Sequence, residues 1–159
     1  MGVGKSTIGS KLSKIMNAPF VDIDEVIEDN YGISISKIFN KYGEDYFRKI
    51  ESGFLEKIIN ENEEYILSTG GGIVLDKNNR LLLKNNGIVI WLDCSIDELF
   101  KRLGNSDNRP LLANKEKLKE TLINLANKRN HLYKEIADIY IDTSNKTINE
   151  IIRELLENV

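Results

Sequence analysis

The chain has 159 residues, of which 41% are hydrophobic and 30% charged, with a formal net charge of −3. That length suits one domain with its own core, and the charge gives no reason to expect nucleic acid or an anionic membrane as a partner. No apolar run approaches a membrane span, no signal-peptide pattern opens the chain, and a single cysteine, Cys94, excludes an intrachain disulfide. The expectation is a soluble, cytoplasmic, single-domain protein over residues 1–159, with Cys94 a buried or half-buried, inert thiol.

The chain opens Met1-Gly2-Val3-Gly4-Lys5-Ser6-Thr7, the second half of the phosphate-loop pattern G-x-x-x-x-G-K-[ST]. Its leading glycine would fall two positions before Met1. Behind the loop, Ile8, Leu12 and Ile15 keep helical spacing until Asn17 to Pro19 close the helix. Small residues let backbone N–H groups curl round a polyphosphate at a helix N-terminus. Lys5 would then reach the terminal phosphates and Ser6 would bind Mg²⁺. A glycine turn that merely caps a helix is the plain alternative.

A strand starts after Pro19 in "PFVDID". Residues two apart on a strand share a side, so Asp22 and Asp24 are both expected to face the carboxyl edge of a sheet, where α/β proteins bind ligands. One carboxylate would hold Mg²⁺ through water and the other would orient a substrate hydroxyl. Otherwise Asp24 is a helix N-cap and Asp22 is solvated.

A long helix follows from near Glu44, with an apolar stripe of Phe47, Ile50, Phe54, Leu55, Ile58 and Ile59. Arg48 and Glu51 share a face of it, which by default is a surface ion pair. The apolar groups around them, Tyr46, Phe47 and Ile50, suit an arginine aimed at a carboxylate ligand instead. "EYILSTGGG" is a strand that runs into Gly70, Gly71 and Gly72. Three glycines in a row are costly in chain entropy and are justified where backbone must approach a ligand closely.

"GIVIWLDCS" is the most buried-looking strand, and Ser95 caps a short helix with Asp97 and Glu98 at its positive end. The polar stretch "GNSDNRPLLANKEK" is expected to form a mobile lid around 104–116 that carries Arg109. Leu118, Leu122, Leu125 and Ala126 mark the next helix, which ends near "KRNHLY" with Arg129. Each of these arginines, read alone, is a solvated surface charge. His131, the only histidine, is expected to be structural or exposed. "ADIYIDTS" is the last strand, and Ile148, Ile151, Ile152, Leu155 and Leu156 mark the last helix. Alternating strands and helices imply a parallel sheet covered by helices on both faces.

Taken in order, GVGKST, F-x-D-x-D, FRxxE, GGG, RPLL and R-x-x-LY resemble the shikimate kinase family, at matching spacing across essentially the whole chain. The resemblance implies a P-loop NTPase-type α/β three-layer sandwich whose parallel sheet has five strands. It also implies transfer of the γ-phosphoryl group of ATP to the 3-hydroxyl of shikimate, in the biosynthesis of chorismate and the aromatic amino acids.

By the same resemblance, Gly2, Val3, Gly4, Lys5, Ser6 and Thr7 bind the ATP phosphates, with Ser6 and Asp22 on Mg²⁺. Asp24 binds the shikimate hydroxyls and is the candidate base. Arg48 and Arg129 grip the shikimate carboxylate beside Gly70, Gly71 and Gly72, with Glu51 supporting Arg48. Arg109 reaches the phosphates from the lid as a catalytic group alongside Lys5 and Asp24, and Arg102 packs on adenine. The implied partner is the small molecule alone, bound by a monomer.

The chain departs from the family pattern at Ile23, where many members have Thr or Ser, and at His131, where proline is usual. It also lacks the family's first, central strand. The expectation is a start placed too late, at a methionine inside the loop, and a sheet that is not stable without that strand. The rival readings are another small-molecule P-loop kinase, such as a gluconate kinase, and an inactive truncated nucleotide-binding protein.

Overall fold

Lys5 begins α1 (Lys5–Met16) directly after a loop in which Gly2 and Gly4 take φ of 78° and 92°. Side chains rarely adopt such values, so the loop conformation itself calls for glycine at both positions. The computed structural model describes residues 2–61, 64–104 and 115–158. They form two compact units, Ser6–Asn86 and Met1–Lys5 with Gly87–Val159.

In the Ser6–Asn86 unit, α1 buries Ile8 and Leu12, whereas Ile15 is 51% exposed. Ile15 falls in the last turn, just before Asn17 takes the left-handed conformation that ends the helix. β1 (Phe20–Asp22) pairs in parallel with β2 (Ile66–Ser68), placing Phe20 opposite Ile66 and Asp22 opposite Ser68. Gly9 lets α1 lie close to β1, because a Cβ there would press into the Phe20 ring.

Two helices follow that the sequence expectations do not include, α2 (Ile23–Tyr31) and α3 (Ile35–Tyr42). They bury Ile23, Ile27 and Ile38, and both pack on α4 (Glu44–Glu61). From the stripe expected on α4, Phe47, Leu55 and Ile58 are buried, and Glu51 is buried among the same helix's inward positions. A single 3₁₀ turn (Ile73–Leu75) packs against α5 (Lys77–Asn86) and completes the unit.

In the second unit, β3 (Ile90–Asp93) runs parallel to β4 (Ile139–Asp142), with Trp91 opposite Tyr140 and Asp93 opposite Asp142. β3 is half-buried along its length, while β4 buries Ile139 and Ile141 and exposes Tyr140 and Asp142. The expectation that β3 is the most buried strand is therefore corrected. Among the described residues its sheet holds two strands, so β3 has one hydrogen-bonded neighbour there.

The helices α6 (Ile96–Gly104) and α7 (Lys115–Ile136) pack on each other. They share an apolar cluster of Cys94, Leu99, Leu103, Leu118 and Leu122, which makes Cys94 the core thiol expected. The Ser95 hydroxyl accepts the Glu98 N–H at 3.3 Å and caps α6. A capping box of Thr147 and Glu150 starts α8 (Ile148–Leu156), which buries Ile151, Ile152 and Leu155.

Parallel strands flanked by helices fit the α/β P-loop class. The described residues hold four strands in two parallel pairs. Among the described residues, no helix is long and apolar enough to cross a membrane.

Candidate active site

The Ser6 hydroxyl donates to Asp22 Oδ2 at 2.6 Å, joining the start of α1 to the end of β1. The other carboxylate oxygen, Asp22 Oδ1, accepts the backbone N–H of Asp24 at 3.1 Å and caps α2. This revises the expectation that both aspartates lie on one strand. An aspartate cap satisfies an otherwise orphaned helix N–H, so the strand stops at Asp22 and Asp24 falls in the first turn of α2. The cap is Asp22 rather than Asp24, and Asp22 is buried rather than solvated. Two hard oxygen ligands, Ser6 Oγ and the Asp22 carboxylate, are the donor types that Mg²⁺ takes.

Gly70 and Gly72 crowd this region for reasons of space. A Cβ on Gly70 would overlap the Glu51 carboxylate and stand 3.2 Å from Asp24 Oδ1. A Cβ on Gly72 would overlap the Arg48 guanidinium. The backbone at Gly72 has φ −94°, which any residue tolerates, so the missing side chain is what matters there. The glycine turn thus brings together Asp24 from α2 and Arg48 with Glu51 from α4.

Arg48 is held on several sides. Its Nη1 donates to Glu51 Oε2 at 2.6 Å, and its Nε and Nη2 donate to Glu44 Oε1 at 3.3 and 3.1 Å. The guanidinium carbon lies 5.1 Å from the Phe47 ring centre and 5.8 Å from that of Phe39, within cation–π range. Burial works against the Arg48 charge, but the hydrogen bonds and attraction of Glu51 and Glu44 outweigh it and hold its pKa above the ordinary value. Glu51 is fully buried, while the Arg48 side chain keeps 25% of its surface exposed. Such an arginine is pre-aimed and still reachable by a ligand. Glu44 and Phe39 are absent from the sequence expectations. The i−4 spacing of Glu44 from Arg48 was a signal that could have found the former. Phe39 lies on a helix that sequence reasoning missed, so nothing pointed to it.

Within the second unit, Arg102 on α6 is tied down as firmly. Its Nε donates to Glu98 Oε1 at 3.1 Å and its Nη2 to the Thr143 carbonyl at 2.9 Å. A longer bond of 3.4 Å joins Nη1 to the Thr143 hydroxyl. Gly2 lies against Leu103, the next residue of α6. Arg129 sits on α7, and its buried Nε makes no hydrogen bond among the described residues. Lys5 is the first residue of α1. His131 is exposed, as expected. Arg109, the greater part of the lid expected around 104–116, and the RPLL motif lie outside the described residues.

The family model for shikimate kinase matches residues 1–159. The chain belongs to the shikimate kinase family. A shikimate kinase of Actinobacillus pleuropneumoniae serotype 5b is 47% identical, over 100% of this chain and 92% of that protein. Among solved structures, shikimate kinase from Acinetobacter baumannii in complex with shikimate matches with a TM-score of 0.89 at 34% identity, covering 99% of this chain and 87% of that one. A gluconokinase from Sinorhizobium meliloti matches at TM-score 0.60 and 18% identity, covering 99% of this chain and 86% of that one, a likeness of fold alone. Membership of the shikimate kinase family makes the chain an ATP-dependent small-molecule kinase of aromatic amino-acid biosynthesis.

Proposed function

We propose that the acceptor is the 3-hydroxyl of shikimate and that the residues grouped around Gly70–Gly72 hold it. The observation that carries this reading is the fixed, partly exposed Arg48 guanidinium beside Asp24 and the glycine turn. A ring that bears both a carboxylate and hydroxyls matches a guanidinium and a carboxylate set side by side. Arg129 is the second arginine for the substrate carboxylate, and its buried Nε, which has no acceptor among the described residues, suits a donor that a ligand completes. The relative from Acinetobacter baumannii was solved with shikimate, which supports the choice of acceptor.

In the reaction, Asp24 orients the substrate hydroxyl and takes its proton as the oxygen attacks the γ-phosphorus of ATP. A new oxygen–phosphorus bond forms while the bond to the β-phosphate oxygen breaks, releasing ADP. The backbone of Gly2, Val3 and Gly4 cradles the phosphates with Thr7, and Lys5 neutralises charge at the terminal group. Ser6 and Asp22 are the residues that would hold Mg²⁺, which when bound supplies positive charge to the phosphate oxygens. Arg109 is assigned to the phosphates, and the lid around 104–116 to water exclusion, from the sequence motif. Arg102 lies against the adenine base. The protein works as a single-domain cytoplasmic monomer, with neither nucleic acid nor membrane as a partner.

A coupled assay of ADP release, run with ATP against shikimate and gluconate, tests this reading. Turnover with shikimate alone is expected, and turnover with gluconate alone would refute it. Asp24→Asn is expected to lower kcat by about a hundredfold or more, the scale of general-base catalysis, with ATP affinity nearly intact. An unchanged kcat would remove Asp24 from the chemistry.

A further inference from the structure

Arg102 already has a full-time anionic neighbour. Glu98 accepts from its Nε at 3.1 Å from one turn earlier on α6. The opposite edge of the guanidinium is engaged by Thr143, through the carbonyl at 2.9 Å and the hydroxyl at 3.4 Å. Thr143 is itself held in place. It is fully buried, and its N–H and its hydroxyl both donate to the Asp93 carbonyl at the end of β3, at 2.9 and 2.8 Å. With its proton committed to Asp93, the hydroxyl can only accept from Arg102. Nearby, Ser144 accepts the Ser95 N–H at 2.8 Å and ties the same turn to the N-cap of α6. Both edges of Arg102 are therefore fastened to rigid parts of one unit, and its charge is matched by Glu98.

An arginine meant for phosphate needs its in-plane N–H groups, because phosphate is recognised edge-on by that fork. In Arg102, Nε is engaged by Glu98 and each terminal nitrogen gives one hydrogen bond to Thr143. In-plane bonds of this kind hold the guanidinium by its edges and leave its flat face unused by them, and such a face stacks on planar rings. We propose that Glu98 and Thr143 are positioning residues that commit Arg102 to the nucleobase of ATP instead of its phosphates. This rests on the reading that Arg102 contacts the base, and it adds why that arginine does not compete for the phosphates. Fixing the side chain beforehand removes an ordering cost from nucleotide binding, an effect on the order of three- to tenfold in affinity.

The test compares the affinity of the full chain for ADP with that for inorganic pyrophosphate by calorimetry. The two ligands share their phosphates and differ in the nucleoside. Glu98→Ala is expected to lower the preference for ADP over pyrophosphate by about fivefold. In an Arg102→Ala background the same change is expected to have no further effect, because Glu98 acts through that arginine. Glu98→Gln, which keeps an acceptor for Nε, is expected to recover part of the preference. Should Glu98→Ala not fold, Thr143→Val runs the same cycle from the other edge. Equal weakening of both ligands would mean a merely structural role and would overturn the proposal. A preference lowered by Arg102→Ala but untouched by either clamp variant would leave the base contact standing and sink the clamp. If Arg102→Ala leaves the preference unchanged, the base-contact reading falls first and the clamp with it.

Discussion

The guanidinium of Arg48 occupies the space that a Cβ on residue 72 would need. The glycine and the arginine lie on different elements, and no side chain can be added at residue 72 without moving Arg48. Gly72→Ala is expected to displace Arg48 from its contact with Glu51 and to raise KM for shikimate about tenfold or more, leaving KM for ATP within about twofold. Overpacking of this kind costs ~1–3 kcal/mol, so a fall in urea midpoint is expected as well. Steady-state kinetics with each substrate varied in turn checks it, and an unaltered KM for shikimate would show that Arg48 has no part in acceptor binding.

Glu51 is fully buried and forms an ion pair with Arg48 at 2.6 Å. Taking away one member of a buried pair leaves the other's desolvation uncompensated, a loss of roughly 3 kcal/mol. Glu51→Ala should approach that figure in denaturant unfolding, moderated because Glu44 still holds the other edge of Arg48. Glu51→Gln keeps the shape and an acceptor, and should lose less stability while still raising KM for shikimate. Equal stability in all three chains would mean that the pair contributes nothing to the fold.

How much of this was legible in advance differs from residue to residue. The Arg48–Glu51 pair follows from helical spacing alone, and the burial of Cys94 from its place after a strand. The triple glycine was legible as a close approach, but not as an approach to protein side chains, since sequence does not say which atoms fill the space above Gly70 and Gly72. Asp22 and Asp24 flank Ile23, so the stretch fits a strand period as well as the first turn of a helix, and Ile23 with Ile27 is too short a stripe to decide between them. The local cap hydrogen bond that ends β1 early competes with the strand and wins. The grip of Thr143 on Arg102 joins residues 41 positions apart, so no local pattern reports it.

Ser6 and Asp22 provide a prediction about metal dependence. Ser6→Ala removes a 2.6 Å hydrogen bond to a buried carboxylate, while Asp22 keeps the Asp24 N–H. Leaving a buried acceptor with one partner fewer costs about 1–3 kcal/mol, which thermal unfolding without ligands measures. The Mg²⁺ concentration for half-maximal activity should rise about tenfold, on the order of one lost hydrogen-bond-strength interaction. A Mg²⁺ titration that superimposes on that of the parent chain would exclude Ser6 as a ligand.

The last prediction concerns acid stability. At the start of α8, the Thr147 N–H and hydroxyl both donate to Glu150 Oε2 at 2.7 Å, and the hydrogen bonds from the Thr147 side chain and backbone hold the Glu150 pKa below its ordinary value. A carboxylate whose folded pKa is lowered stabilises the fold above the unfolded value, and that contribution fades as pH falls through the lowered folded value. Glu150→Gln should therefore unfold at a lower urea concentration than the parent chain at pH 7. The difference should narrow as pH drops below the normal glutamate range, because the parent's own Glu150 then takes up a proton. Thr147→Ala should behave in the same way, since it removes the hydroxyl that depresses Glu150 and the cap that the hydroxyl gives to the Glu150 N–H. Urea midpoints of the three chains at neutral and acid pH measure this. A gap between parent and variants that stays constant across that range would mean that the capping box works through geometry alone, without the charge on Glu150.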